Sequence, residues 1–307
     1  MGLVKFDEPV SRLLTQGMVC KETYQCPNPD HDWLFPEQVT PEKTCALCGL
    51  PVKIGRVEKM SKSRKNAVDP IEMIDIHGAD ALRMFVLFAG PPDKDKEWSD
   101  TGLEGAARYL QRVWRVARKW VDRKPGPLDA GTELNDHSRT LRRRTHQIVR
   151  RVTENLEERL HLNTCISSLM ELTNEIQSFD AEVEKPNGAA PTDAAVAREA
   201  IEALICMLAP FAPHIAEEMW EAYGHGSSLA RSQWPGFNED LAREEEIEVA
   251  IQVNGKLRSR VFARAEATEE ELREKALADD KVIAAAAGRE PSKVIVVPRK
   301  LVNVVFK

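Results

Sequence analysis

The 307 residues contain no apolar run approaching the length that spans a bilayer, and the chain opens without the charged and apolar regions of a signal peptide. A cytoplasmic protein with no membrane partner is the expectation. A surplus of positive charge is also lacking: 43 Lys and Arg stand against 49 Asp and Glu, for a formal net charge of −6. This excludes a uniformly basic nucleic-acid binder, so any contact with RNA has to come from local patches. Cysteine is scarce, with six in the chain. In a reducing compartment such thiols serve as core side chains or metal ligands rather than disulfides. At 42% hydrophobic, the composition is that of a globular protein, and the length admits two or three domains, each with its own core.

Positive charge is nevertheless concentrated at Lys59-Met60-Ser61-Lys62-Ser63, a stretch that puts two ammonium groups and two hydroxyls on five residues. Lys53, Arg56, Arg64 and Lys65 flank it, against a lone Glu58. Such a local field attracts polyanions, and a loop of this composition grips phosphate; the competing reading is a solvated lysine-rich surface. Further basic patches occur at Arg108, Arg112, Arg115 and Lys119, spaced by three and four residues along one helical face, and at Arg139, Arg142, Arg143, Arg144, Arg150 and Arg151.

Cys45-Ala46-Leu47-Cys48-Gly49 has the form of a zinc knuckle, since two thiolates two residues apart share one tetrahedral ion and the glycine permits the tight turn. Cys26 lies at a spacing suited to the other half of a zinc ribbon. His31 is preferred as fourth ligand, with Cys20 as the alternative. Four protein ligands would leave no open position, which makes the zinc structural. Cys165 and Cys206 sit in apolar helical surroundings and are expected to be core side chains.

Organisation follows from periodicity. Residues 1–97 read as the end of a mixed α/β domain with a cysteine-bearing insertion over 20–55 and the phosphate-gripping loop at 59–63, and Pro91-Pro92 marks a break. Residues 98–242 read as an antiparallel bundle of four long helices: one from Ser99 to Pro125, then 134–160, 163–179 and 193–208, the last resuming to Tyr223. A Pro- and Gly-bearing loop is expected at 182–192. Residues 243–307 read as a small α+β domain. Alternating Ile247, Val249, Ile251 and Val253, the Asn254-Gly255 turn, and Leu257, Ser259 and Val261 form a hairpin. Thr268 and Glu271 fit a capping box, a helix breaks near Asp279-Asp280, and strands close the chain at 294–297 and 301–306. The fold class is thus multidomain and mainly α.

The loop is followed by Asn66-Ala67-Val68-Asp69-Pro70 and Gly78-Ala79-Asp80-Ala81-Leu82-Arg83, and this passage resembles the signature loop and following helices of class I aminoacyl-tRNA synthetases. Ala89-Gly90-Pro91-Pro92, Glu97 to Ala106, Arg108 to Trp114, Ala209 to Glu218 and Gln252 to Arg258 resemble the bacterial leucyl-tRNA synthetase family, so the resemblance covers nearly the whole chain. It implies an ATP-dependent leucine–tRNA ligase, with ATP (and Mg2+), leucine and leucine tRNA as substrates. Lys62 would contact the ATP phosphates, Lys59 would assist, and Met60, Ser61 and Ser63 would shape the loop. Asp80 and Arg83 are read as a structural ion pair and His214 as structural. The helical segment resembles the anticodon-binding bundle, making Arg108, Arg112 and Arg115 candidate tRNA contacts; Lys256 and Arg258 beside the hairpin turn are candidates in the last domain. The family's His-x-Gly-His element and a segment long enough for its editing domain do not occur. The opening Gly2 to Pro9 resembles an internal stretch of the full enzyme, so a C-terminal portion needing the missing catalytic and editing parts is the expectation. A valyl or isoleucyl relative, or a non-catalytic zinc-stabilised tRNA-binding protein, are the competing readings.

Overall fold

The computed structural model describes residues 13–306 except 129, 130, 184–189, 244, 245, 265, 266, 287 and 299, together with Lys5, Asp7, Glu8 and Val10. Most of the opening Gly2 to Pro9, the middle of the expected 182–192 loop and part of the charged stretch before residue 247 lie outside the described residues. The chain forms two compact units, Met1–Leu241 and Ala242–Lys307.

In the first unit β1 (Val19–Gln25) is the centre of a small sheet. β2 (Trp33–Leu34) and β3 (Lys53–Lys59) pair with it antiparallel, and β4 (Lys96–Glu97) runs parallel to its first residues. β3 takes one edge of β1, while β2 and β4 share the other at opposite ends. Cys20 lies opposite Lys59 in this register. The sheet therefore delivers the Lys59–Ser63 stretch at the point where β3 stops.

α1 (Pro70–His77) starts on an Asp69 side chain that accepts the Ile71 N–H, with proline at a position where no N–H is needed. Gly78 at φ +88° turns the chain into α2 (Ala79–Phe88), a conformation that glycine adopts without strain. α3 (Asp100–Trp120), α4 (Asp136–Glu154), α5 (Leu162–Val183), α6 (Pro191–Leu208), α7 (Pro213–Ala222) and a short α8 (Glu239–Ala242) follow. The helical reading of 134–160 ends earlier than expected. Asn155–Arg159 forms a π turn closed by Leu160 at φ +52°, which lets the chain reverse into α5.

Leu103, Val113, Trp120, Leu141, Ile166, Leu172, Ile201 and Leu204 are buried in one apolar core. Several buried polar groups inside it are paired, as desolvation favours. Trp120 Nε1 donates to Asp180 at 2.5 Å, and Tyr109 OH meets Thr173 at 3.2 Å. Asp193 accepts from Ser138 Oγ at 2.6 Å, Asn135 Nδ2 at 2.8 Å and its own helix's leading Ala190 N–H at 2.9 Å. α2 contributes Ala81, Met84 and Phe85 to this core. Pro91-Pro92 therefore falls within a single unit, because the apolar face of α2 is covered by α3. Cys165 and Cys206 are buried.

In the second unit β5 (Glu246–Val253) and β6 (Lys256–Arg264) form a hairpin about Asn254 (φ +49°) and Gly255 (φ +78°). Two successive positive φ values are what a tight two-residue turn needs. α9 (Glu269–Leu277), capped reciprocally by Thr268 and Glu271, and α10 (Asp280–Ala286) precede β7 (Lys293–Val297) and β8 (Leu301–Val305). The sheet order is β6-β5-β8-β7, with β5 and β8 parallel. Val249, Ile251, Val302, Val304 and Leu272 make its core.

Candidate functional site

The loop leaves β3 at Lys59 and closes through a single turn at Lys62–Arg64. Ser61 Oγ caps that turn by accepting the Arg64 N–H at 3.3 Å and lies 3.3 Å from Ser63 Oγ. Lys65 at φ +53° turns the chain inward so that Asn66, fully buried, sits beneath the loop. Ser61 N donates to Asn66 Oδ1 at 2.8 Å.

The charges around the loop are sorted rather than uniformly exposed. Glu58 pairs with Arg64 and lies 3.9 Å from Arg56. Arg64 also stands 5.7 Å over the Trp33 ring, and Lys65 5.4 Å over Phe35. These contacts hold the flanking cations against the aromatic arm around β2, which sequence reasoning did not single out. Lys59 and Lys62 are exposed and have no ion-pair partner among the described residues. Two ammonium groups are left facing solvent on a tied-down turn, an arrangement that suits an incoming polyanion.

Cys26, His31, Cys45 and Cys48 come together, with one donor atom from each within 4.8 Å of the others. Cys26 and Cys48 sulfurs are 3.5 Å apart. Burial pushes the Cys26 thiol up to about 11. Burial acts on Cys45 in the same direction, but the N–H groups of Leu47 and Cys48 and the neighbouring thiols outweigh it, and its net shift is downward. His31 Nε2 is buried without a hydrogen-bond partner. Cys20 is not in this group; it belongs to β1, with its sulfur 3.9 Å from the Met18 carbonyl.

Asp80 and Arg83 do not pair with each other as expected. Asp80 accepts from the Ile215 N–H at 2.7 Å and the His214 N–H at 3.3 Å, and meets His214 Nδ1 at 2.8 Å. Arg83 donates twice to the Pro210 carbonyl, at 3.0 and 3.2 Å. Both therefore clamp α2 to the turn that opens α7. The pairing failed because i and i+3 neighbours on a helix compete with whatever packs across them.

The basic helix faces are also partly spent on internal partners. Arg108 pairs with Glu104 at 3.3 Å, Lys119 with Asp180 at 3.4 Å, and Arg112 lies 5.4 Å over the Tyr109 ring. Arg115 is exposed beside a groove of about 480 Å³ lined by His77, Asp80, Gln111, Trp114 and Ile215. Along α4, Arg139, Arg142, Arg144, Arg150 and Arg151 all meet carboxylates, so the crowd of arginines is largely a set of ion pairs rather than a free basic patch. In the second unit Lys256 and Arg258 are exposed next to the hairpin turn.

Family models fit two stretches of the chain. Residues 38–99 match the tRNA synthetases of class I (I, L, M and V), and residues 138–272 match the anticodon-binding domain of tRNA ligase. The first match contains the loop and the α1–α2 pair; the second begins in α4. These two matches define a class I tRNA synthetase fold. Among curated proteins, a leucine–tRNA ligase of Syntrophus aciditrophicus (strain SB) is 46% identical over 100% of this chain, and one of Desulfatibacillum aliphaticivorans is 44% identical over 99%. The Agrobacterium radiobacter K84 agnB2 LeuRS, solved as a ternary complex with tRNA and LeuAMS, superposes with a TM-score of 0.70 at 28% identity, covering 99% of this chain and 34% of that one. The chain belongs to the leucine–tRNA ligase family. It spans about a third of the length of the curated relatives it matches.

Proposed function

We propose that this chain supplies the ATP-phosphate loop and the tRNA-holding domains of a leucine–tRNA ligase, and that it works together with the N-terminal catalytic and editing parts its relatives possess. The observation that carries the reading is the turn at Lys62–Arg64, where Lys59 and Lys62 stand exposed while every neighbouring cation with a contact is held by Glu58, Trp33 or Phe35. In leucine activation the carboxylate attacks the α-phosphate of ATP, and negative charge grows on the bridging and leaving oxygens. Lysines placed at those oxygens lower the barrier by electrostatic stabilisation, with no proton transfer required. Lys62 takes this role, Lys59 assists, and Met60, Ser61 and Ser63 set the turn. Mg2+ accompanies the ATP.

Residues 20–55 act as a zinc-ribbon-like insertion with Cys26, His31, Cys45 and Cys48 as ligands. The donor set supports zinc: four N/S ligands at about 2.0–2.3 Å from a tetrahedral ion sit about 3.3–3.8 Å from one another, and the orphaned His31 Nε2 lacks any other partner. Bound there, zinc supplies cross-linking, not chemistry. The helices of 98–242 act as an antiparallel, anticodon-binding-type bundle, and 243–307 as a second tRNA-binding module. Arg115 is the strongest candidate contact on α3; Arg108 and Arg112 would have to exchange internal partners for phosphate, and Lys256 and Arg258 would serve the terminal module.

The deciding experiment combines this chain with the N-terminal two-thirds of the Syntrophus relative and measures leucine-dependent ATP–pyrophosphate exchange. Exchange is expected only when both parts are present. Robust exchange by this chain alone, or none by the combination with valine exchange in its place, would overturn the reading.

A further inference from the structure

Asn66 is fully buried although it lies only three residues beyond exposed Ser63. Its carboxamide is saturated. Oδ1 accepts the Ser61 N–H at 2.8 Å, and Nδ2 faces the carbonyls of Lys21 at 3.1 Å, Glu58 at 3.3 Å and Lys59 at 3.4 Å. Only one amide orientation fits, because the reverse would set an oxygen against three carbonyls and an NH2 against an N–H. The partners lie on three separate segments: β1, the end of β3, and the turn that carries Lys62.

From this geometry we propose that Asn66 is the positioning residue of the phosphate loop, fixing where Lys59 and Lys62 leave the sheet. The proposal rests on the reading of that loop as the grip on ATP phosphates. Asn66 touches no substrate and acts through the two lysines. Preplaced charge stabilises a transition state only if it does not have to be moved into position during the reaction, so the residue that holds the turn is felt in the rate. Alanine at 66 removes the Asn66 contacts to the Ser61 N–H and to the carbonyls of Lys21, Glu58 and Lys59, and the turn is then free to leave the sheet. Aspartate keeps the shape but sets a charged oxygen against three carbonyls.

Two measurements test this. In hydrogen–deuterium exchange on the full chain, Asn66→Ala should speed exchange at least tenfold over residues 59–65 while α3–α6 stay protected. Unchanged protection of the Ser61 amide would overturn the proposal. Should Asn66→Ala fail to fold, Asn66→Ser, which keeps one donor, is measured in its place. In the combination with the relative's N-terminal part, Asn66→Ala should lower kcat for pyrophosphate exchange by about ten- to a hundredfold with the KM for leucine unchanged. The triple variant Lys59→Ala/Lys62→Ala/Asn66→Ala should then be no slower than Lys59→Ala/Lys62→Ala. Additive losses would mark Asn66 as merely structural and refute the positioning role. If Lys62→Ala slows exchange and Asn66→Ala does not, the positioning role alone falls; if Lys62→Ala leaves exchange intact, the phosphate-gripping reading falls and takes this role with it.

Discussion

Stripping the metal expected at Cys26, His31, Cys45 and Cys48 should unfold residues 26–52 and nothing else. The core under this segment consists of Cys26, Leu34 and Cys45, with Tyr24, Val39 and Val52 half-buried around it. Full burial of Leu34 contributes about 2–3 kcal/mol, and each small thiol side chain about 1 kcal/mol. Regular structure in this segment amounts to the two-residue strand β2, two short 3-10 turns and two isolated bridges, Val39 to Cys45 and Thr44 to Pro51. A structural zinc contributes about 10–16 kcal/mol, more than those buried side chains together. The helices of the first unit share a separate core, and the second unit has its own, so neither depends on the ribbon. Elemental analysis of protein prepared without added zinc should give one equivalent. After chelation, hydrogen exchange should accelerate across 26–52 while far-UV helical signal is retained. His31→Ala should lower zinc affinity sharply, and Cys20→Ala should not. Absence of stoichiometric metal, or protection over 26–52 that survives its removal, would refute the reasoning; loss of helical signal along with the ribbon would refute the independence of the cores.

Lys62→Ala, assayed in combination with the relative's N-terminal part, should slow leucine activation by two or more orders of magnitude, about 3 kcal/mol of transition-state stabilisation, with leucine binding little changed; equal losses in both would reassign Lys62 to the ground state. Thermal unfolding of the isolated chain should be unaffected by the same substitution, because Lys62 is exposed. Asp193 and Glu199 should make the first unit acid-sensitive. Burial raises both, but the bonds from Ser138, Ala190 and Asn135 to Asp193, and from His146 and Arg142 to Glu199, hold them below their ordinary values of 3.8 and 4.5. Their contribution is therefore complete above those values and lost as pH falls through the lower folded ones, so Asp193→Asn should flatten the pH dependence of the unfolding midpoint below 3.8. An unaltered profile would contradict this. Binding of leucine tRNA should weaken steeply with salt, Arg115→Gln should reduce the slope by about one, and removal of 243–307 should weaken binding with the helical unit intact. Equal affinity for an unrelated tRNA, or for the truncated chain, would remove the tRNA assignment.

Much of the architecture was legible because it is local. Hydrophobic periods marked α3 to α6, the Asn254-Gly255 turn and the alternation around it marked the β5–β6 hairpin, and Thr268 with Glu271 marked the start of α9. The loop was legible for the same reason: the chemistry proposed for it lies in five consecutive residues. Four thiol and imidazole donors could be nominated from the sequence, with His31 already preferred over Cys20, and the structure brings His31 into the group while β1 carries Cys20 off to pair opposite Lys59. Charge was where the sequence misled. The arginines of α4 and the α3 stripe look like open basic faces when counted along the chain, yet most of them, three of the four on α3 included, are met by carboxylates or rings brought from residues distant in sequence or folded over the same helix.

The sequence by itself pointed to the family, the element types and the candidate residues for phosphate or metal, because those properties depend on side-chain identity at short range. The tertiary structure alone decided which cations remain free, why Asp80 and Arg83 clamp α2 to the Pro210–Ile215 turn instead of each other, and that a buried Asn66 ties the loop to two strands. Each of these is a pairing between groups far apart along the chain, and desolvation makes such pairings obligatory only once folding has removed the water that would otherwise satisfy them.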